Sequence, residues 1–148
     1  MTIPQRLHVH MNVTDLDKSI AYYTKLFGVA PSREKPSYAQ WRLESPSVNF
    51  AISKGKAGGQ AGISHLGIQV GDNEQLETVN GRLTDADHQS VEDKDATCCY
   101  AKSDKYWSLD PSGIAWELFH THEDLEEFGD AVMPLETEKQ AGATGRCC

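Results

Sequence analysis

The chain has 148 residues, 39% of them apolar, and a formal net charge of −8 from 14 Lys and Arg against 22 Asp and Glu. That length suits one domain or two small fused halves with a filled core. The acidic balance excludes a nucleic-acid surface or docking on an anionic membrane, which both need basic patches, and leaves a small molecule or a metal ion as the expected partner.

No apolar run approaches the roughly 20 residues that span a bilayer. Met1–Arg6 also lacks the charged-then-apolar pattern of a secretion signal, so the expected location is the cytoplasm.

In chain order, the first element is a strand, His8-Val9-His10-Met11-Asn12-Val13, ending in Thr14-Asp15. It returns in outline as His65-Leu66-Gly67-Ile68-Gln69-Val70-Gly71-Asp72, at a constant offset of 57. Each copy opens with His, alternates like a strand and ends in a helix-cap signal. Val9, Met11 and Val13 make one apolar face; His8, His10 and Asn12 make the other, too polar for a closed core. The second copy repeats this, with Leu66, Ile68 and Val70 against His65, Gly67 and Gln69. Polar inner faces on both copies point to a cavity.

A helix follows over Leu16–Phe27. Thr14 or Asp15 caps it, Leu16, Ile20, Tyr23 and Phe27 form its apolar stripe, and Gly28 and Pro31 stop it. Strands are expected at Tyr38–Glu44, with Ala39, Trp41 and Leu43 on one face, and at Val48–Lys54, with Val48, Phe50 and Ile52 on one face. Gly55–Gly62 joins the halves. The second helix starts near Asn73 with Leu76, Val79 and Leu83 as its stripe, weakened by Gly81. Gln89–Asp93, Thr97–Lys102, Tyr106–Leu109 and Ile114–His120 are the remaining candidate strands, the last two joined by a turn at Asp110-Pro111-Ser112-Gly113.

The reading is therefore α+β: two βαβββ modules, at about residues 5–56 and 63–122, forming a curved mixed sheet around a metal-containing cavity. Residues 1–125 make a single domain, and 126–148 a flexible, Cys-ended tail.

The last strand places Ala115, Glu117 and Phe119 on one face. Glu117 is a lone carboxylate among apolar neighbours, and burying it requires a cation or a strong hydrogen-bond partner. His8 and His65, at equivalent repeat positions, are the matching metal ligands; His10 shares a face with His8 and competes for its role. His88 reads as solvated loop, and His120 and His122 as sheet-edge residues. Trp41, Tyr106, Trp107 and Trp116 read as core or cavity wall.

Four cysteines stand in two adjacent pairs, Cys98-Cys99 and Cys147-Cys148. Adjacent cysteines are poor disulfide partners, and paired thiols suit capture of a soft metal or metalloid. From His8 to Phe50 is 42 residues and from His65 to Glu117 is 52. The extra length is expected in a mobile loop over 93–105 that carries Cys98-Cys99.

The repeated His-x-x-x-x-Val-x-Asp and the terminal Trp116-Glu117-Leu118-Phe119 resemble the glyoxalase/bleomycin-resistance/dioxygenase group, the vicinal oxygen chelate superfamily, over roughly residues 5 to 122. The resemblance implies a metal on His8, His65 and Glu117. Glyoxalases of that group add a Glu on the last strand of module 1, but Ser47-Val48-Asn49-Phe50-Ala51-Ile52 holds no carboxylate. Two His and one carboxylate remain, the facial set of non-haem Fe(II) enzymes. Ala96-Thr97-Cys98-Cys99-Tyr100-Ala101 and Asp104-Lys105-Tyr106-Trp107 further resemble the organoarsenical carbon–arsenic lyases and related cadmium-induced proteins.

This narrower resemblance implies Fe(II) and O₂-using cleavage of trivalent organoarsenicals to arsenite. Cys98 and Cys99 would bind the substrate, and Glu117 and Lys105 would be catalytic. Lys105 is expected to lower the thiol pKa values or to help close the loop. Zn, Ni or Mn also suit such a ligand set, and the resemblance allows a homodimer, with the modules closing within one chain or swapping between subunits. The alternatives are a cadmium- or arsenic-binding resistance protein without turnover and an extradiol-type dioxygenase.

Overall fold

The computed structural model describes residues 4–55 and 60–130; the side chains of Cys98, Cys99 and residues 125–130 are outside the description. The expected Cys147 and Cys148 lie outside it too.

Two βαβ units are built in sequence. The first is β1 (Arg6–Val13), α1 (Leu16–Phe27), β2 (Arg33–Lys35), β3 (Tyr38–Glu44) and β4 (Ser47–Lys54). The second is β5 (Gly62–Gln69), α2 (Asn73–Thr84), β6 (Val91–Leu109) and β7 (Ala115–Asp130). Both helices start where the cap signals place them. The Asp15 carboxylate accepts from the Lys18 amide, and Asp72 does the same for Gln75. Gly28 ends α1 in the left-handed region, at φ 72°.

The seven strands among the described residues join one mixed sheet in the order β2-β3-β4-β1-β5-β7-β6. β1 runs parallel to β4, and β5 runs parallel to β7; the two units meet where β1 and β5 pair antiparallel. The helices cover one face. Leu16, Ala39, Trp41, Phe50 and Ile52 form the core under α1, with Val9, Met11 and Val13 against it. Val70, Leu76, Val79 and Leu118 form the core under α2. α2 packs less fully and leaves a cavity of about 390 Å³ lined by Ile68, Val79, Leu83, Trp116 and Leu118. No helix among the described residues is long and apolar enough to cross a membrane.

Two expectations need correction. The segment 93–105 is not a loop: the three short strands expected between Gln89 and Leu109 are one strand, β6. The β6–β7 register shifts at Cys99/Ala101 and Lys102/Ser103 place the excess residues on β7, and Asp95 takes φ 52° within β6. The cysteine pair therefore rides on a strand. The last strand also does not end at His120, because β7 pairs with β6 as far as Asp130. Ladder bonds are made by backbone groups, so this polar segment can extend a strand that its side chains do not announce.

Candidate metal centre

The concave face of the sheet carries the polar residues that strand alternation assigns to it. One row of cross-strand neighbours runs Asn49, His8, Gly67, Glu117 and Trp107 over β4, β1, β5, β7 and β6. His65 stands two residues before Gly67, and so on the same face. All three expected ligands are buried, with exposures of 5% for His8, 0% for His65 and 4% for Glu117.

Their donor atoms converge. His8 Nε2 lies 3.3 Å from His65 Nε2 and 3.5 Å from Glu117 Oε2, and His65 Nε2 lies 3.0 Å from Glu117 Oε2. Three donors about 2.1 Å from one ion stand about 3.0 Å apart at right angles and about 3.4 Å apart at tetrahedral angles. The observed edges match that spacing, and two imidazoles with a carboxylate suit a divalent ion. The residues present therefore fit a metal.

Each ligand is aimed by a partner. His8 Nδ1 is 3.0 Å from the Asn49 carbonyl. A carbonyl only accepts, so Nδ1 holds the proton and the Nε2 lone pair faces the centre. Ser64 Oγ stands 3.1 Å from His65 Nδ1, and the Trp107 ring packs edge-on against His65 at 5.2 Å. The Asn49 side chain is itself held, accepting from Gln40 Nε2 at 2.9 Å and donating to Gln69 Oε1 at 3.1 Å.

Lys105 is 2% exposed and donates to Glu117 Oε1 at 2.7 Å. Its ammonium also sits 5.7 Å from the Trp107 ring centroid. The pair leaves Oε2 as the Glu117 oxygen that faces the histidines. Thus Lys105 stands mid-strand on β6 with Glu117 as its partner.

Burial sets the charge states. It pushes the His8 pKa down from 6.5 to about 4, with His65 and Lys105 adding to the shift against the pull of Glu117. His10 is driven well below its usual range by burial and by the other two imidazoles. Burial would raise Glu117, but the Lys105 charge and the His65 hydrogen bond outweigh it and hold the carboxyl well below 4.5. At neutral pH His8 and His10 are thus neutral imidazoles and Glu117 a carboxylate, the forms that ligate a metal.

His10 belongs to the same cluster. Its ring is 4.9 Å from that of His65, and ring nitrogens of His8, His10 and His65 lie within 4.8 Å of one another. Its Nε2, however, is 2.6 Å from Ser53 Oγ. His88 is exposed. His120 faces away from Glu117, its ring tilted 49° to that of His122 at 6.1 Å, and His122 reaches Asp95 and Asp104 at 3.7 and 3.5 Å. The Cys98 and Cys99 side chains lie outside the described ones.

Sequence reasoning missed Asn49, Gln40, Ser53 and the Lys105–Glu117 pairing. The signal was available for the first three: each is the polar residue at an inward position of a strand whose other face is core. Trp41 is core, Trp107 is site wall, and Trp116 lines the cavity under α2.

Comparison with known proteins adds to this geometry. The family model described as Glyoxalase/Bleomycin resistance protein/Dioxygenase superfamily matches residues 5–118. A trivalent organoarsenical cleaving enzyme of Bacillus sp. strain MD1 is 43% identical over 121 residues, covering 81% of this chain and 75% of that one. The cadmium-induced protein CadI of Mycobacterium bovis is 31% identical over 143 residues, covering 97% and 92%. Among solved structures, homoprotocatechuate 2,3-dioxygenase of Arthrobacter globiformis superposes with a TM-score of 0.60 at 19% identity, over 84% of this chain and 38% of that one. Methylmalonyl-CoA epimerase of Mycobacterium tuberculosis does so at 0.59 and 20%, over 82% and 90%. At such identities the two structures speak for the fold alone.

Proposed function

Because the chain belongs to the Glyoxalase/Bleomycin resistance protein/Dioxygenase superfamily, we propose that it is an enzyme that cleaves the carbon–arsenic bond of trivalent organoarsenicals, using a divalent metal held by His8, His65 and Glu117. The observation that carries this reading is the convergence of those three donors within 3.5 Å. The 43% identity to an organoarsenical cleaving enzyme supports the substrate class.

Cys98 and Cys99 are the proposed substrate ligands, since trivalent arsenic is soft and prefers thiolates. The proposed metal is Fe(II), which when bound with open positions would supply reactivity toward O₂. The reaction balances for a methyl substrate: methylarsenite and O₂ give arsenite and formaldehyde. The carbon–arsenic bond breaks, carbon is oxidised, O₂ is reduced, and arsenic stays trivalent.

The chain's own residues prepare the site for that chemistry. Asn49 and Ser64 orient the imidazoles, and burial keeps His8 neutral and so able to bind a metal. Lys105 occupies Glu117 Oε1 and thereby directs Oε2 inward. Its ammonium also stands as the buried positive charge nearest the carboxylate, able to stabilise negative charge that develops beside it. Tyr38, Tyr100, Phe119 and His10 wall the pocket and limit water.

The test is to incubate Fe(II)-loaded protein with methylarsenite under air and to measure arsenite. Wild type should release it, and Glu117→Ala and Cys98→Ser should not. Equal rates in either variant would overturn the mechanism. The likeness to a cadmium-induced protein favours a second reading, sequestration of a soft ion by thiols. That reading expects tight Cd(II) binding, no turnover and indifference to loss of His8.

A further inference from the structure

β2 and β6 are the two outermost strands of the sheet, with no ladder between them. Side chains nevertheless join them across the pocket mouth. Arg33, on β2, donates through Nη1 to the Tyr100 carbonyl of β6 at 2.8 Å, and its Nη2 meets Asp124 Oδ2 of β7 at 2.7 Å. Arg42 Nη2 takes the other Asp124 oxygen at 3.3 Å, and Arg42 Nε donates to Gln40 Oε1 at 3.2 Å. Gln40 in turn holds Asn49, whose carbonyl orients His8. One hydrogen-bonded chain thus runs from the β6 edge to a proposed ligand.

The point of attachment is specific. The β6–β7 register pairs Cys99 with Gly129 and then Ala101 with Asp124, so it shifts at Tyr100. The register thus changes at the residue whose carbonyl Arg33 takes. Arg33 holds that carbonyl, one residue beyond the cysteine pair.

We propose that Arg33 is a positioning residue that fixes the Cys98–Cys99 stretch of β6 relative to His8, His65 and Glu117, and so sets where a thiol-bound arsenic sits. This rests on the organoarsenical reading above. The planar guanidinium suits the task because it serves the carbonyl and the carboxylate at once, which an ammonium on a flexible stem does less well. A purely structural role is a poor match. The Asp124 side chain is 49% exposed, and ion pairs that open to solvent add little stability. Arg33 belongs to neither apolar core.

The experiment uses the full chain with Arg33→Gln, Arg33→Lys and Asp124→Asn. The probe is methylarsenite, titrated anaerobically and followed by loss of reactive thiols; KM, metal affinity and Tm are measured beside it. Arg33→Gln should weaken methylarsenite binding and raise KM at least fivefold, with metal affinity and Tm unchanged. Arg33→Lys should recover part of the loss. Asp124→Asn should weaken binding less, and should add little on top of Arg33→Gln. Wild-type binding and KM in Arg33→Gln would overturn the inference, as would a parallel fall in Tm and metal affinity. A wild-type chain that neither binds nor cleaves methylarsenite would overturn the organoarsenical reading itself, and this inference with it, before any variant is compared.

Discussion

Gly67 and the Glu117 carbonyl are closer than any side chain would allow: a Cβ on Gly67 would stand 2.2 Å from that oxygen and 3.2 Å from the Glu117 Cβ. Gly67 is also the cross-strand neighbour of both His8 and Glu117. The absent side chain lets β5 and β7 approach closely enough to bring the carboxylate to the histidines.

Gly67→Ala is therefore expected to push β7 outward and shift Glu117. Forced overpacking of this kind costs about 1–3 kcal/mol. Metal affinity should fall at least tenfold, because donor spacing is what the substitution disturbs. Titration with Fe(II) or Zn(II), alongside urea unfolding of the metal-free chain, checks both. Unchanged affinity would show that the three donors do not share one ion.

Glu117→Gln removes the charge that balances Lys105, which is 2% exposed. Breaking one side of a buried pair costs about 3–5 kcal/mol. The metal-free variant should lose stability on that scale in urea. Adding Lys105→Met to it should recover much of the loss, since the double variant buries no unpaired charge.

Stability of the metal-free protein should fall on acidification in two stages. Folded His8 titrates at about 4 rather than at 6.5. Between those values the unfolded chain binds a proton that the folded chain refuses, so stability is full above 6.5 and is lost as pH drops toward 4. The loss is on the order of 3 kcal/mol for His8, and His10 acts in the same direction. Glu117, held well below 4.5, extends the loss to lower pH. Urea midpoints measured from pH 8 to pH 4 test this. A flat profile, or one restored by acid, would contradict the buried neutral state. His8→Phe should flatten the upper stage.

Gly81 lies inside α2 with nothing within 4 Å of the position a Cβ would take. Gly81→Ala should thus stabilise the chain by about 0.5–1 kcal/mol, the helix-propensity difference with no steric cost. Metal affinity should not change, because α2 sits on the sheet face opposite the donors. A thermal or urea melt measures the gain.

The sequence by itself determined the two-module plan, both helices with their caps, and the two faces of every strand near the site. Those features rest on local chemistry: Asp15 and Asp72 cap amides three residues away, and alternation assigns His8, His65 and Glu117 to one side of their strands. What the sequence left open was anything that depends on a partner strand. Whether His8 or His10 faces Glu117, that Lys105 meets Glu117, and that Cys98-Cys99 ride on β6 were decided only by tertiary structure. Each depends on register between strands far apart in the chain, and backbone ladders form without a side-chain signature. The close approach at Gly67 belongs to both. A glycine in an apolar strand can be read from the chain, but only the fold shows that β7 needs its space.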